Sequence, residues 1–203
     1  MNLYYAPGAC SLAPHIVASE AGIPVKLQKV NFSNKTLPDG SDYNMVNPRG
    51  YVPALKLEDG DVLTEVNVLV QYLADTKPEA GLLPKVGTKE RWKAMQWLAF
   101  ISTELHKQFG PLFDKTTPEA TRTVQKNKLA KRFAELEERL TSNDYILGKE
   151  FSVADAYAFT VLNWTDHAGL DMTAYPKIQA YKARVAARPK VKAAMVEEGL
   201  VAA

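Results

Sequence analysis

The sequence predicts an α/β domain followed by an all-α domain. Short strand-like and helix-like segments alternate in the first third of the chain, whereas the periodic segments after residue 87 all repeat with a helical period. Between them, residues 77–87 carry two prolines and two glycines, the composition of a linker. The domains are therefore expected at 1–78 and 88–203, joined by 79–87.

In the first domain, residues 2–5 form a strand and Pro7-Gly8 a turn. A helix is expected from about Ser11 to Ala21, stopped by Gly22-Ile23-Pro24. Val25, Leu27 and Val30 mark a second strand, and residues 31–50 are polar and mostly loop. Residues 52–57 form a third strand, with Asp59-Gly60 turning the chain into Val62-Leu63. Val66, Leu69, Val70 and Leu73 recur at i, i+3, i+4 and i+7, one buried helix face. This order makes a small mixed sheet with helices packed on it. In the second domain, one helical stripe runs through Leu98, Ile101, Leu105 and Leu112, and another through Leu129, Phe133, Leu136 and Leu140. Residues 152–168 are apolar almost all round, as at the centre of a bundle, and Ile178, Tyr181 and Val185 form a further stripe. About five helices are expected.

The hydrophobic share of 46% and the charged share of 24% describe an ordinary globular chain. A formal net charge of +2 argues against nucleic acid and against an anionic membrane as partners. No apolar run approaches the roughly 20 residues of a membrane span, and the N-terminus lacks the pattern of a signal peptide. One cysteine excludes an intramolecular disulfide and fits a cytoplasmic protein.

Cys10 lies just before the first helix, where the positive end of the helix dipole favours thiolate. A lone cysteine is also commonly a small buried apolar residue, and position leaves the two readings open. Tyr5 closes the first strand near the same corner. Tyr51-Val52-Pro53 begins a strand with a proline, and a cis Val52–Pro53 bond would turn the polar groups of Val52 outward to pair an extended peptide. An ordinary edge-strand proline is the alternative. Thr64-Glu65-Val66 opens a helix whose first amides suit a carboxylate, while Glu65 suits an ammonium; together they fit an α-amino acid head group. Glutamate in a first helical turn also serves the helix dipole without any ligand. Thr103 and His106 share a helix face with Ala99, and Glu104, His106 and Lys107 cluster near its end, as a cationic or hydrogen-bonding group or as a solvated face. Ser152 and Asp155 have the spacing of a capping box and are assigned to folding.

These features together resemble a cytosolic glutathione S-transferase of the bacterial beta class. The resemblance covers essentially the whole chain and rests on YYAPGACSLAPH at 4–15, NPRGYVPAL at 47–55, LTE at 63–65, QYLAD at 71–75, ELHK at 104–107, FSVADAY at 151–157 and EEGL at 197–200. It implies a thioredoxin-like N-terminal domain, and glutathione as co-substrate with no metal and no other cofactor. Cys10 would contact the glutathione sulfur, with Tyr5 and His106 beside it in catalysis. Lys35 would reach the glycyl carboxylate, and Val52, flanked by Tyr51 and Pro53, would pair with the cysteinyl backbone. Glu65 and the Val66 amide would hold the γ-glutamyl head. Thr103, Glu104, His106 and Lys107 would approach from the helical domain, Glu104 across the interface of a homodimer. Phe109, Phe113 and Trp164 would line the site for a small apolar electrophile. The chain departs from the pattern at Val66, where serine is common, and at Ala99, where asparagine is common.

The expected activity is conjugation of glutathione to apolar electrophiles, a detoxifying reaction. Thiol–disulfide exchange or peroxide reduction through Cys10 is the second reading, and a non-catalytic ligand-binding protein the third.

Overall fold

The computed structural model describes residues 1–202. They group into two compact units, residues 1–83 together with the segment from Ala187 onward, and Pro84–Ala186.

In the first unit, β1 (Asn2–Tyr5), β2 (Lys26–Lys29), β3 (Ala54–Lys56) and β4 (Val62–Thr64) form one sheet in the order β2-β1-β3-β4. β1 and β2 are parallel, and β3 and β4 are antiparallel to their neighbours. A parallel pair needs a long crossover, which α1 (Leu12–Ala21) supplies, whereas β3 and β4 need only the tight turn at Asp59-Gly60. Side chains alternate along β1. Leu3, paired with Leu55, is fully buried, while Tyr4 joins a cluster with Ala6, Val30, Tyr43, Val52 and Ala54. α1 ends at Gly22, whose φ of 67° favours glycine, and the Ile23 amide caps the Ala18 carbonyl at 2.8 Å. α2 (Val66–Thr76) packs on α1 through the stripe of Val66, Leu69, Val70 and Leu73.

In the second unit, α3 (Lys89–Phe100) runs without a break through a π-helical turn, Ile101–His106, into α4 (Lys107–Phe113). α5 (Glu119–Arg139), α6 (Val153–Leu162), α7 (Trp164–His167) and α8 (Pro176–Ala186) follow. Every residue of α6 is buried, as its mostly apolar sequence favours. The stretch 152–168 is two helices rather than one, separated by a turn at Asn163. Asp155, fully buried in the first turn of α6, accepts four hydrogen bonds: from the Ile146 amide at 2.7 Å, the Ser152 amide at 2.9 Å, the Ser152 hydroxyl at 2.7 Å and the Tyr181 hydroxyl at 3.0 Å. Burial lifts its carboxyl to about 6, against those bonds.

The expectation that everything after residue 87 belongs to the helical domain fails for the C-terminal segment. α9 (Pro189–Glu197) packs on α1 and groups with the first unit. Polar contacts decide this. His15 on α1 is buried, with Nδ1 3.0 Å from Glu198 Oε1 and Nε2 2.9 Å from Glu197 Oε2. The other Glu198 oxygen accepts the Gly8 amide at 2.9 Å. Arg188 donates through Nε and Nη2 to the two oxygens of Glu20 at 2.7 and 2.8 Å, and the Ser19 hydroxyl donates to the Lys190 carbonyl at 3.0 Å.

Burial disfavours the His15 imidazolium, but hydrogen bonds to Glu198 and Glu197 and their charges outweigh it and raise the pKa above 6.5. The stabilisation from this group is complete below the unfolded-state value of about 6.5 and is lost as pH rises through the folded-state value. Melting temperatures measured from about pH 6 to about pH 9 should therefore fall more steeply for the native chain than for His15→Gln; parallel profiles would contradict this account.

Candidate functional site

Cys10 sits in the turn before α1 and is half-buried. The turn is tied from inside by the fully buried Ser11 hydroxyl, which accepts from the Ala6 amide and donates to the Ala6 carbonyl, each at 3.2 Å. The Cys10 thiol donates to the Val52 carbonyl at 3.2 Å. Two segments 42 residues apart, each singled out by its own chemistry, thus meet at one bond. The Val52–Pro53 peptide bond is cis. Tyr5 is buried with its ring 6.5 Å from that of His15. Burial and then the charges of Glu198 and Glu197 raise its phenol pKa, so it stays protonated at neutral pH.

The loop between β2 and β3 carries the remaining candidates of the first unit. Lys35 has a φ of 57°, with Nζ 3.0 Å from the Gly50 carbonyl and 4.3 Å from the centre of the Phe32 ring. Gly50 has a φ of 64°, and a side chain there would meet Asn44 Oδ1 at 3.0 Å, so only glycine fits the turn before Tyr51. Tyr51 is exposed, whereas Val52 and Pro53 are buried.

Glu65 precedes α2 with φ 69° and ψ 124°, a region that costs a non-glycine residue on the order of 1–3 kcal/mol. Its carboxylate is exposed, 3.3 Å from Arg49 Nη1. Val66 opens α2, where the first amides lack intrahelical partners. A carboxylate beside free helix amides accommodates a zwitterionic head group.

In the second unit, the structure brings four of the candidates into one cluster. The rings of Phe109 and Phe113 stack at 6.0 Å, and Trp164 meets them edge-on at 5.6 and 5.9 Å. His106 lies 4.9 Å from the Trp164 ring, and its Nδ1 shares a 2.6 Å hydrogen bond with the Tyr157 hydroxyl. Burial, reinforced by the charge of Lys107, lowers the His106 pKa to about 4. Between a cationic and a hydrogen-bonding role, neutral pH therefore selects the second. Thr103 donates its hydroxyl to the Ala99 carbonyl at 3.0 Å. Glu104 is held by Arg132, whose Nε and Nη2 donate to one carboxylate oxygen at 2.7 and 2.6 Å, while its Nη1 binds Glu135. Lys107 is exposed.

Residue reasoning missed several supporting groups. Tyr157 is the partner of His106, yet lies on an apolar helix 51 residues away with no spacing signal. Arg132 looks like any solvated cation of α5. Tyr43 and Asn47 both donate to the Tyr51 carbonyl, at 2.7 Å each; their segment reads from composition only as a polar loop. Among the described residues, no three His, Cys, Asp or Glu side chains gather as a metal site, and no helix is long and apolar enough to cross a membrane.

The two units match two family models in turn. Residues 8–76 match the glutathione S-transferase N-terminal domain and residues 94–189 the glutathione S-transferase C-terminal domain. The chain is 44% identical to the glutathione S-transferase GstA of Escherichia coli O157:H7, over 98% of this chain and all of that one. It is similar to the solved structure of the bacterial beta class glutathione S-transferase of Sphingomonas chungbukensis, with a TM-score of 0.95 and 42% identity over 99% of this chain and 100% of that one. A sphingomonad glutathione S-transferase complexed with glutathione matches with a TM-score of 0.95 and 40% identity, again over 99% and 100% of the two chains.

The two conspicuous histidines should separate in an NMR titration. His106 should remain neutral down to about pH 5, while His15 should titrate above about 6.5. A His106 signal titrating near the ordinary value would contradict the burial argument.

Proposed function

Because this chain belongs to the bacterial beta class of the glutathione S-transferase family, we propose that it binds glutathione along Val52 with the ligand sulfur beside Cys10. It is a glutathione transferase; the roles of its residues, its electrophile and its assembly form the proposal. The bond between the Cys10 thiol and the Val52 carbonyl carries it. A tripeptide pairing its cysteinyl backbone with Val52 extends its own thiol towards the place the Cys10 thiol occupies.

The remaining assignments follow the chemistry of the ligand. Glu65 takes the γ-glutamyl ammonium and the Val66 amide its carboxylate, at the start of α2. Lys35 takes the glycyl carboxylate. Val66 has no hydroxyl to add a further bond at the head group, so Glu65 carries more of the grip. Thr103, Glu104, His106 and Lys107 complete the polar contacts, His106 as a neutral hydrogen-bonding group. Phe109, Phe113 and Trp164 form the apolar side of the site: Phe113 is exposed and meets the electrophile, while the buried Trp164 and the fully buried Phe109 back it. The reaction is attack of the glutathione thiolate on that electrophile, accelerated by lowering the thiol pKa and by orientation. We place the enzyme in the cytoplasm as a detoxifying homodimer, a reading supported by its single cysteine and by the family.

Conjugation of an aryl halide at millimolar glutathione should be saturable. Glu65→Ala should raise the glutathione KM roughly 10- to 100-fold, the worth of a hydrogen bond to a charged group. A native chain no faster than the uncatalysed reaction would overturn the proposal, and an unchanged KM in the variant would overturn the role of Glu65.

A second activity, thiol–disulfide exchange or peroxide reduction, is favoured by the half-buried Cys10 thiol standing just before α1. Cys10→Ala should abolish exchange and the glutathione adduct seen by intact mass, while conjugation through the thiol of glutathione itself survives. Exchange undiminished in Cys10→Ala would exclude this activity for Cys10.

A further inference from the structure

Tyr43 touches both backbone segments assigned above to the middle and the glycyl end of the tripeptide. Its amide donates to the Lys35 carbonyl at 2.7 Å, and its hydroxyl donates to the Tyr51 carbonyl at 2.7 Å. Asn47 Nδ2 donates to the same Tyr51 carbonyl at 2.7 Å, and the Asn47 amide donates to the Tyr43 carbonyl at 3.0 Å. Both residues are buried, Tyr43 completely. The Tyr43 ring lies 5.5 Å from that of Tyr4 on β1, inside the cluster that contains Val52 and Ala54.

A phenol fixed at its ring, its amide and its hydroxyl has no room to swing. The distance from the Lys35 backbone to the Tyr51 carbonyl is then set by the length of one rigid side chain. Lys35 Nζ adds a second tie to the Gly50 carbonyl at 3.0 Å, immediately before Tyr51. Burial pushes the Tyr43 hydroxyl up to about 12, so it remains a donor across the working pH range.

We infer that Tyr43 and Asn47 are positioning residues that hold Lys35 and Val52 at the separation glutathione spans, and so set the preference for the full tripeptide over a shorter γ-glutamyl thiol. The inference rests on the assignment of Lys35 to the glycyl carboxylate and of Val52 to the cysteinyl backbone. Loss of one donor lets the start of β3 shift against the Lys35 loop. A ligand that bridges both segments feels that shift, whereas one that reaches only Glu65 and Val52 does not.

The test measures dissociation constants for glutathione and for γ-glutamylcysteine, which lacks the glycine, by calorimetry on the native chain, Tyr43→Phe and Asn47→Ser. The native chain should prefer glutathione. Tyr43→Phe should weaken glutathione roughly 3- to 10-fold and leave γ-glutamylcysteine within about twofold, the worth of one neutral hydrogen bond acting on one ligand only. A native preference that Tyr43→Phe leaves intact, or equal losses for both ligands, would overturn the positioning role while leaving Lys35 in place. A native chain without the preference would overturn the Lys35 assignment, and this inference with it. Asn47→Ser removes the other donor to the same carbonyl and carries the test if Tyr43→Phe fails to fold.

Discussion

The bond from the Cys10 thiol to the Val52 carbonyl depends on two pieces of backbone being held still. On one side, Ser11 closes the turn between β1 and α1 by bonding both the amide and the carbonyl of Ala6. On the other, the Tyr43 and Asn47 side chains converge on the Tyr51 carbonyl. β3 then pairs with β1 one residue past Pro53, with Ala54 opposite Tyr4. The sheet thereby closes the circuit between the turn that carries the thiol and the segment that accepts from it. If glutathione binds as proposed, with its sulfur beside Cys10, the site needs such precision, because effective molarity falls steeply when reacting groups are misplaced.

His15 and His106 show how charge partners decide what desolvation alone cannot. Desolvation acts on both and opposes the imidazolium in each. His15 faces two carboxylates and is raised, whereas His106 faces a phenol, aromatic rings and the charge of Lys107 and is lowered. One therefore works as an electrostatic tie between α1 and the C-terminal segment. The other works as a neutral ring in an aromatic cluster. Glu198 joins these themes, since its second oxygen holds the Gly8 amide in the same turn that leads to Cys10.

Local signals in the sequence announced much of this architecture. The Pro7-Gly8 turn after residues 2–5, the Gly22-Ile23-Pro24 stop and the Val66–Leu73 stripe each depend on neighbours within a few positions, and the elements lie close to where they were expected. What stayed hidden depends on pairs far apart in the chain. His15 and Glu198 are 183 residues apart, and nothing in the periodicity of α9 distinguishes a helix that packs on α1 from one in the bundle. The π-helical turn at 101–106 leaves the hydrophobic stripe intact and so gives no trace in it. At the candidate site, Cys10, Val52 and Glu65 were conspicuous for their own chemistry. Tyr43, Asn47, Tyr157 and Arg132 act through other residues, and only three-dimensional neighbours reveal such groups.

The central claim is that glutathione lies along Val52 with its sulfur at Cys10. A crystal structure of the complex tests it most directly. The account predicts the cysteinyl backbone paired with Val52, and a sulfur–sulfur distance of about 2.05 Å for a mixed disulfide or of roughly 3.5–4 Å for non-bonded contact. A ligand whose peptide backbone avoids Val52, or whose sulfur lies well beyond contact distance of Cys10, would contradict it.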